Sequence, residues 1–287
     1  MNKQTTTLAL TALLGAAGTA LAGVPSPMTL GTHTTSRVVQ NAPGFNFDSG
    51  DRDAFDLFGP AAMGTSRTYA GSTITVDSTA SYGVLSNDIA FNGPIGSSSN
   101  DVRQARGFSE AGFLDNTLTL DAPAVNLGAL VGVTATFTLD FGFEMEFVTP
   151  REGSGFAFQA FTYNLELDIA GNLFTYAGQY RNFGDGTELF SGDETPGTVT
   201  LDVLVPAGET FAISARLDSN YRAYAQNASF EGAFSTRDDA PHFTFDGFGS
   251  LPEGSSVNSQ FANYVPTPAS AALGFFALAG VAPRRRR

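Results

Sequence analysis

The chain has 287 residues, 26 of them phenylalanine, with no cysteine and no tryptophan, and carries a formal charge of −13 at pH 7. The absence of cysteine excludes disulfides, thiol nucleophiles and thiolate metal sites, so stability has to come from a hydrophobic core. Between Gly23 and Pro283 ten arginines stand against all 28 acids, a net charge of −18 that disfavours nucleic acid and anionic lipid as partners.

Lys3 precedes an apolar stretch from Leu8 to Ala17, and Ala20-Leu21-Ala22 has the small-x-small form that signal peptidase accepts. Residues 1 to 22 therefore read as an export signal, cut between Ala22 and Gly23. The apolar run is shorter than the ~20 residues of a spanning helix, which argues against an uncleaved anchor. Residues 23 to 60 are expected to form an irregular arm, because Asn41 to Gly59 holds Pro43, Gly44, Gly50 and four aspartates, the residues of loops.

From 61 to 257, Gly, Ser, Thr and Asn punctuate the chain every ~8–12 residues with β-branched and aromatic alternation between them, the pattern of an all-β domain. An antiparallel, jelly-roll-like β-sandwich is the expected arrangement. The clearest strand is Val133 to Phe147, with Val133, Ala135, Phe137, Leu139, Phe141, Phe143, Met145 and Phe147 on one face. A second, Gly155 to Ile169, follows the turn Pro150-Arg151-Glu152-Gly153, and the two are expected to form a long hairpin. Further strands are expected at Thr68 to Asp77, Leu173 to Tyr180, Thr198 to Val205, Thr210 to Leu217, Tyr221 to Phe234 and His242 to Phe248. Val205-Pro206-Ala207-Gly208-Glu209 reads as a hairpin turn, Gly93 to Asn100 as a surface loop, and 258 to 268 as a tether carrying a sorting motif. No repeat of fixed period emerges, which argues against solenoids and propellers. An outer-membrane barrel fits the composition, but such a chain finishes on its last strand.

The chemistry-bearing residues are few. The two histidines, His33 and His242, are too far apart in sequence to suggest a metal site, and His242 reads as a surface or cap residue. The elbow, zinc-helix and phosphate-loop signatures of common enzymes are absent. Glu144 with Glu146, and Glu166 with Asp168, each sit two apart on a strand face, about 6.5–7 Å between backbones, which overlaps the carboxyl spacing of glycoside hydrolysis. In so acidic a chain such pairs also arise as a solvated strand face. Hard oxygen ligands on Gly-rich turns make Asp48, Asp51 and Asp53, with Asp56 nearby, and Asp185 and Glu188, with Asp193 and Glu194 nearby, candidate calcium ligands, although neither loop keeps the EF-hand register. Otherwise no cofactor is expected. Tyr176, Tyr180, Tyr221 and Tyr224, with Arg181 and Arg222, are candidates for a sugar-binding face.

The last residues run Val265-Pro266-Thr267-Pro268, an apolar segment Ala269 to Ala282, Pro283, and Arg284-Arg285-Arg286-Arg287. The apolar segment is short for a span, but prolines at one interface and arginines on the cytoplasmic side would seat it in a bilayer as a short helix. This order of motif, hydrophobic stretch and arginine cluster resembles the PEP-CTERM sorting signal of exported bacterial proteins, with Thr267 standing where the family name calls for Glu. The resemblance implies transient membrane anchoring, recognition by an exosortase at Val265 to Pro268, and delivery to the cell surface or extracellular matrix alongside exopolysaccharide. Val205 to Ala215 is similar to the last strands of many such exported β-domains. The expected function is that of a non-enzymatic structural or adhesive component of that surface or biofilm. The alternative is a secreted carbohydrate-binding module or glycoside hydrolase using the same address.

Overall fold

The computed structural model describes residues 30–42, 44–193, 197–236, 242–262 and 264. Among them strand is the only regular secondary structure, with no helix. The first strands are β1 (Gly31–Ala42), β2 (Phe45–Asp48), β3 (Arg52–Asp56), β4 (Ala61–Tyr69), β5 (Ser72–Ser81) and the very long β6 (Val84–Asp121). Then come β7 (Leu130–Leu139), β8 (Phe143–Phe147), β9 (Phe156–Ile169), β10 (Asn172–Asn182) and β11 (Glu188–Gly192). The last are β12 (Gly197–Pro206), the second long strand β13 (Thr210–Thr236), β14 (Phe243–Gly249) and β15 (Ser256–Asn258). They form one antiparallel sheet whose main path is β11-β10-β9-β13-β6-β14-β7-β12, with β1 joined to β6 and β2 and β3 joined in turn to β1.

Strict period-two alternation makes these strands. In β13, Phe211, Ile213, Ala215, Leu217, Ser219, Tyr221, Ala223 and Ala225 are buried, while the residues between them are half-buried. The interior is rich in rings, with Phe113, Phe137, Phe161, Phe243, Phe248 and Tyr221 the largest fully buried side chains.

The two long strands hold the molecule together by pairing in two different neighbourhoods. The first part of β6 pairs with β5 and with the end of β13, whereas its second part pairs with β1 and the start of β13. The β6–β13 register breaks between Gln226 and Ala228, where Asn227 has φ of 49°. β1 lies against β4 and β5 without pairing to either, so the two halves of the long ladder face each other as layers. Gly107 sits where they press closest: a Cβ there would come within 2.7 Å of the Val76 side chain and 3.1 Å of that of Ile89. A buried polar node crosses the same gap. Asn87 donates to the Leu217 carbonyl (2.7 Å) and accepts from Ser78 (3.0 Å) and Ser109 (2.9 Å), and its N–H donates to His242 Nδ1 (3.1 Å).

Several sequence expectations need correcting. The N-terminal arm is ordered where described: β1 pairs with β6 from Gly31↔Leu114 to Asn41↔Gln104, and β2 and β3 dock on its other edge. Gly93 to Asn100 is not a loop but the middle of β6, with Ile95 buried opposite Phe230. Pro94 is tolerated because β5 ends its pairing at Thr73↔Asn92, leaving no ladder on that side that needs its missing donor. Thr68 to Asp77 straddles a turn, since Ala70 (φ 48°) and Gly71 (φ 85°) form a two-residue hairpin between β4 and β5.

Val133 to Phe147 is two strands. The chain breaks at 140–142, where Phe141 is buried with its ring stacked on His242 at 4.5 Å and on Tyr163 at 5.0 Å. β8 then pairs with β13, as does β9, so no hairpin joins Val133–Phe147 to Gly155–Ile169. Thr210 to Leu217 and Tyr221 to Phe234 are one strand. The 205–209 link is no hairpin either, because β12 pairs with β7 and β13 with other strands. Finally, the start of the expected tether is packed. Val257 pairs with Leu120, Phe261 stacks on Tyr82 at 5.0 Å, Ser259 donates to Asp115, and Tyr264 is buried. Burial and the nearby Asp115 raise the Tyr264 phenol well above its ordinary range.

Candidate functional site

The outward face of the layer formed by β10, β9, β13, β6 and β1 carries a line of arginines, a group of aromatic rings and an ion cluster. Register sets its rows. Arg181 is opposite Ala160, which is opposite Arg222, which is opposite Arg106, so three arginines lie on one line across the sheet. The Arg222 guanidinium lies 4.8 Å from the Tyr224 ring centre and 5.5 Å from that of Phe158, and Arg106 lies 4.8 Å over Phe108. Phe158 and Tyr224 stack at 5.2 Å, with Phe156 and Phe183 beside them. These guanidiniums have no carboxylate partner among the described residues. Burial pushes the Arg222 pKa down to about 10, with Arg106 and Arg181 adding to the effect, and it lowers those of Arg106 and Arg181 as well.

On the other side of the arginine line lies a depression of about 360 Å³ lined by Thr162, Asn164, Gln179, Ser191, Asp218 and Asn220, among others. Its floor continues into an ion cluster. Asp218 is directly opposite Glu110, and Arg216 bridges them, donating to Glu110 Oε2 (2.8 Å) and Asp218 Oδ1 (3.2 Å), while His33 Nε2 lies 3.1 Å from Glu110 Oε1. Burial pushes Asp218 up to about 6; Arg216 opposes this and the facing Glu110 adds to it. Burial also acts upward on Glu110, but the His33 hydrogen bond and Arg216 outweigh it and hold that carboxyl below its ordinary value. Of the two facing carboxyls, Asp218 is therefore the one on which a proton is favoured.

The opposite layer has its own groove, of about 320 Å³, lined by Thr73, Thr75, Asn92, Glu144, Glu146 and Ser235, among others. The candidate pair Glu144 and Glu146 does share this groove, both side chains being exposed on β8. Glu166 and Asp168 do not make a comparable pair. Asp168 accepts from the Gly171 N–H at 2.8 Å, closing the β9–β10 turn, and Glu166 lies near Arg216.

The calcium candidates are split between opposite margins of the sheet. Asp48 receives two hydrogen bonds from Arg37 (2.8 and 2.5 Å), Asp51 lies 3.5 Å from the same guanidinium, and Asp53 accepts from Thr35 at 2.8 Å. The Arg37 hydrogen bond holds the Asp48 carboxyl below its ordinary range. Asp185 accepts from the Thr187 N–H (3.0 Å), and Glu188 from Asn182 (3.1 Å). Among the described residues no group of three or more His, Asp or Glu converges as a metal cluster.

Of the sugar-face candidates, Arg181, Arg222 and Tyr224 share the outer face, but Tyr221 does not. It is fully buried, donating to Gln159 at 2.6 Å. Tyr176 and Tyr180 turn inward onto Phe137 and Phe143. His242 is 2 % exposed, so it is an interior residue and no surface cap; the Asn87 N–H and the Phe141 ring hold it there. Sequence reasoning missed Gln104, Arg106, Phe108 and Phe158. The signal was present in β6, where Ala105, Gly107, Ser109 and Ala111 are small and alternate with Gln104, Arg106, Phe108 and Glu110.

The signal cleavage residues Ala20, Ala22 and Gly23, the motif Val265 to Pro268, the segment 269–282 and Arg284 to Arg287 lie outside the described residues, as does Glu194. Among the described residues no helix is long and apolar enough to cross a membrane. No protein-family model matches the chain, and a search of curated proteins finds no match.

Proposed function

We propose that the chain is an exported, non-enzymatic component of the bacterial surface or its polysaccharide matrix, with an adhesive sheet face on a jelly-roll-like β-sandwich. The observation that carries the adhesive reading is the outer face of β10, β9, β13, β6 and β1: rings, guanidiniums and amides in ordered rows, beside an open depression. A broad, rigid strand surface of this kind favours holding an extended polymer over turning over a small molecule. The address comes from the resemblance of the tail to a PEP-CTERM signal, with signal peptidase acting after Ala22, residues 269–282 as a transient anchor, and an exosortase-type enzyme acting at Val265 to Pro268.

Mass spectrometry of the exported product tests the address. An N-terminus at Gly23 and a C-terminus near Pro268 are expected; native protein found in the cytoplasm with Met1 and Arg287 intact overturns it. Co-sedimentation of the purified chain with matrix polysaccharide tests the adhesive role.

A second reading, glycoside hydrolysis, is favoured by one feature, the shared groove of Glu144 and Glu146. Release of reducing sugar from polysaccharide by the purified chain, lost in Glu144→Gln, would establish it in place of the first.

A further inference from the structure

We infer that the arginine line of the outer face binds an acidic polysaccharide, one that carries carboxylates on an extended sugar backbone. The inference deepens the adhesive reading above and rests on it. Three observations carry it.

The first is unmet hydrogen-bonding capacity. Among the described residues, six of the twelve buried side-chain atoms without a hydrogen-bond partner lie on this face: the Nε of Arg106, Arg181 and Arg222, and the side-chain oxygens of Asn41, Gln104 and Asn220. Asn41 and Gln104 are directly opposite each other, two residue pairs beyond Arg106 and so on the same side of the sheet. The residues that carry these atoms are themselves only half-buried, so part of each reaches the open face, where an outside ligand can meet it.

The second is charge. In a chain of net charge −18 from Gly23 to Pro283, three cations are drawn up in line with no carboxylate beside them, while Arg37 and Arg216 on the same face are each paired to two. The rings of Phe108, Phe158 and Tyr224 lie beneath two of the three, holding the guanidinium planes without neutralising them.

The third is spacing and neighbourhood. Neighbouring strands lie ~4.8 Å apart, which puts Arg222 about 5 Å from Arg106 and about 10 Å from Arg181. That pitch is comparable with the length of one sugar residue, so successive or alternate carboxylates of a linear chain can each meet a fork of donors. The depression alongside offers hydroxyls and amides from Thr162, Gln179, Ser191 and Asn220, the groups that recognise sugar hydroxyls. A nucleic acid, with a denser run of charge, meets the repulsion of the whole acidic surface.

The test uses the purified chain with polygalacturonate, neutral dextran and polyglutamate as probes, followed by calorimetry and thermal unfolding. The expected result is binding to polygalacturonate that weakens as salt is added and falls about tenfold or more in Arg106→Gln/Arg222→Gln. The melting temperature of that variant should stay level or rise. The Arg106→Lys/Arg222→Lys variant, which keeps charge but loses the fork, should fall between the two. Equal binding of polyglutamate overturns the sugar assignment. Binding of dextran alone, unaffected by the arginine changes, overturns this inference and leaves the adhesive reading standing, whereas binding of neither polysaccharide removes both. Self-association that disappears in the Gln variant assigns the line to a second copy of the chain instead. A clear fall in melting temperature makes the guanidiniums structural, and sinks the proposal too.

Discussion

Two polar regions of this molecule look alike in sequence and differ in what they do. Between the layers, Asn87, Ser78, Ser109, Ser219 and His242 form a node in which the Asn87 side chain and the Nδ1 of His242 are met by protein partners. On the outer face, Arg106, Arg181, Arg222, Gln104, Asn41 and Asn220 keep buried atoms that no protein group meets. The first arrangement spends its hydrogen bonds on joining two layers of sheet, whereas in the second these atoms have no partner among the described residues. A polar residue's contribution to the fold therefore depends less on how buried it is than on whether its partners belong to the same chain.

That contrast can be broken most sharply at its interior end. Asn87→Ala leaves the Leu217 carbonyl and the Ser78 and Ser109 hydroxyls without their shared partner, and should cost about 3 kcal/mol or more in urea unfolding; a loss under about 1 kcal/mol would mean that the node does not hold the layers. Tyr221→Phe removes one buried hydroxyl and orphans Gln159 Oε1, so a loss of about 1–2 kcal/mol is expected by the same measurement.

The ion cluster lies between the two extremes. Asp218 has its pKa raised from 3.8 to about 6, so the folded protein binds that proton more tightly than the unfolded chain does. Its contribution is favourable at acid pH and is lost as pH rises from about 4 through about 6. Glu110, held below its ordinary value, works in the opposite direction: its stabilisation is present above 4.5 and is lost as pH falls through the lower folded value. Asp218→Asn should therefore raise the melting temperature at pH 7 and change it little at pH 4. A variant less stable than the parent at pH 7 would show that the Arg216 hydrogen bond outweighs the burial of the charge. The smallest effect is expected at Arg37, whose pairs with Asp48 and Asp51 are exposed: Arg37→Ala should cost under about 1 kcal/mol, and less still in high salt.

How much of this was legible follows from the range over which each signal acts. Period-two alternation is local, so β9, β10, β12 and β14 stand close to where the sequence predicts them. The failures fall where a neighbour decided the outcome. Gly93 to Asn100 and the arm around β1 carry the residues of loops, yet each is strand because β6 and β13 run beside it. The break after Leu139 depended on a pocket for Phe141 built by His242 and Tyr163, residues distant in sequence. The site divided in the same way. Arg181, Arg222 and Tyr224 were visible as candidates, but Tyr221, one residue from Arg222, belongs to the opposite face. Arg106 gave no signal until register set it beside Arg222.

By itself the sequence determined that this is an all-β chain without disulfides, strongly acidic, with a phenylalanine-rich interior, because composition and alternation between adjacent residues fix those properties. It could not determine that three arginines stand in line. Strand order and register are set by contacts across more than a hundred residues, and net charge sums over the whole chain, so a local row of cations within an acidic protein exists only once the sheet has formed.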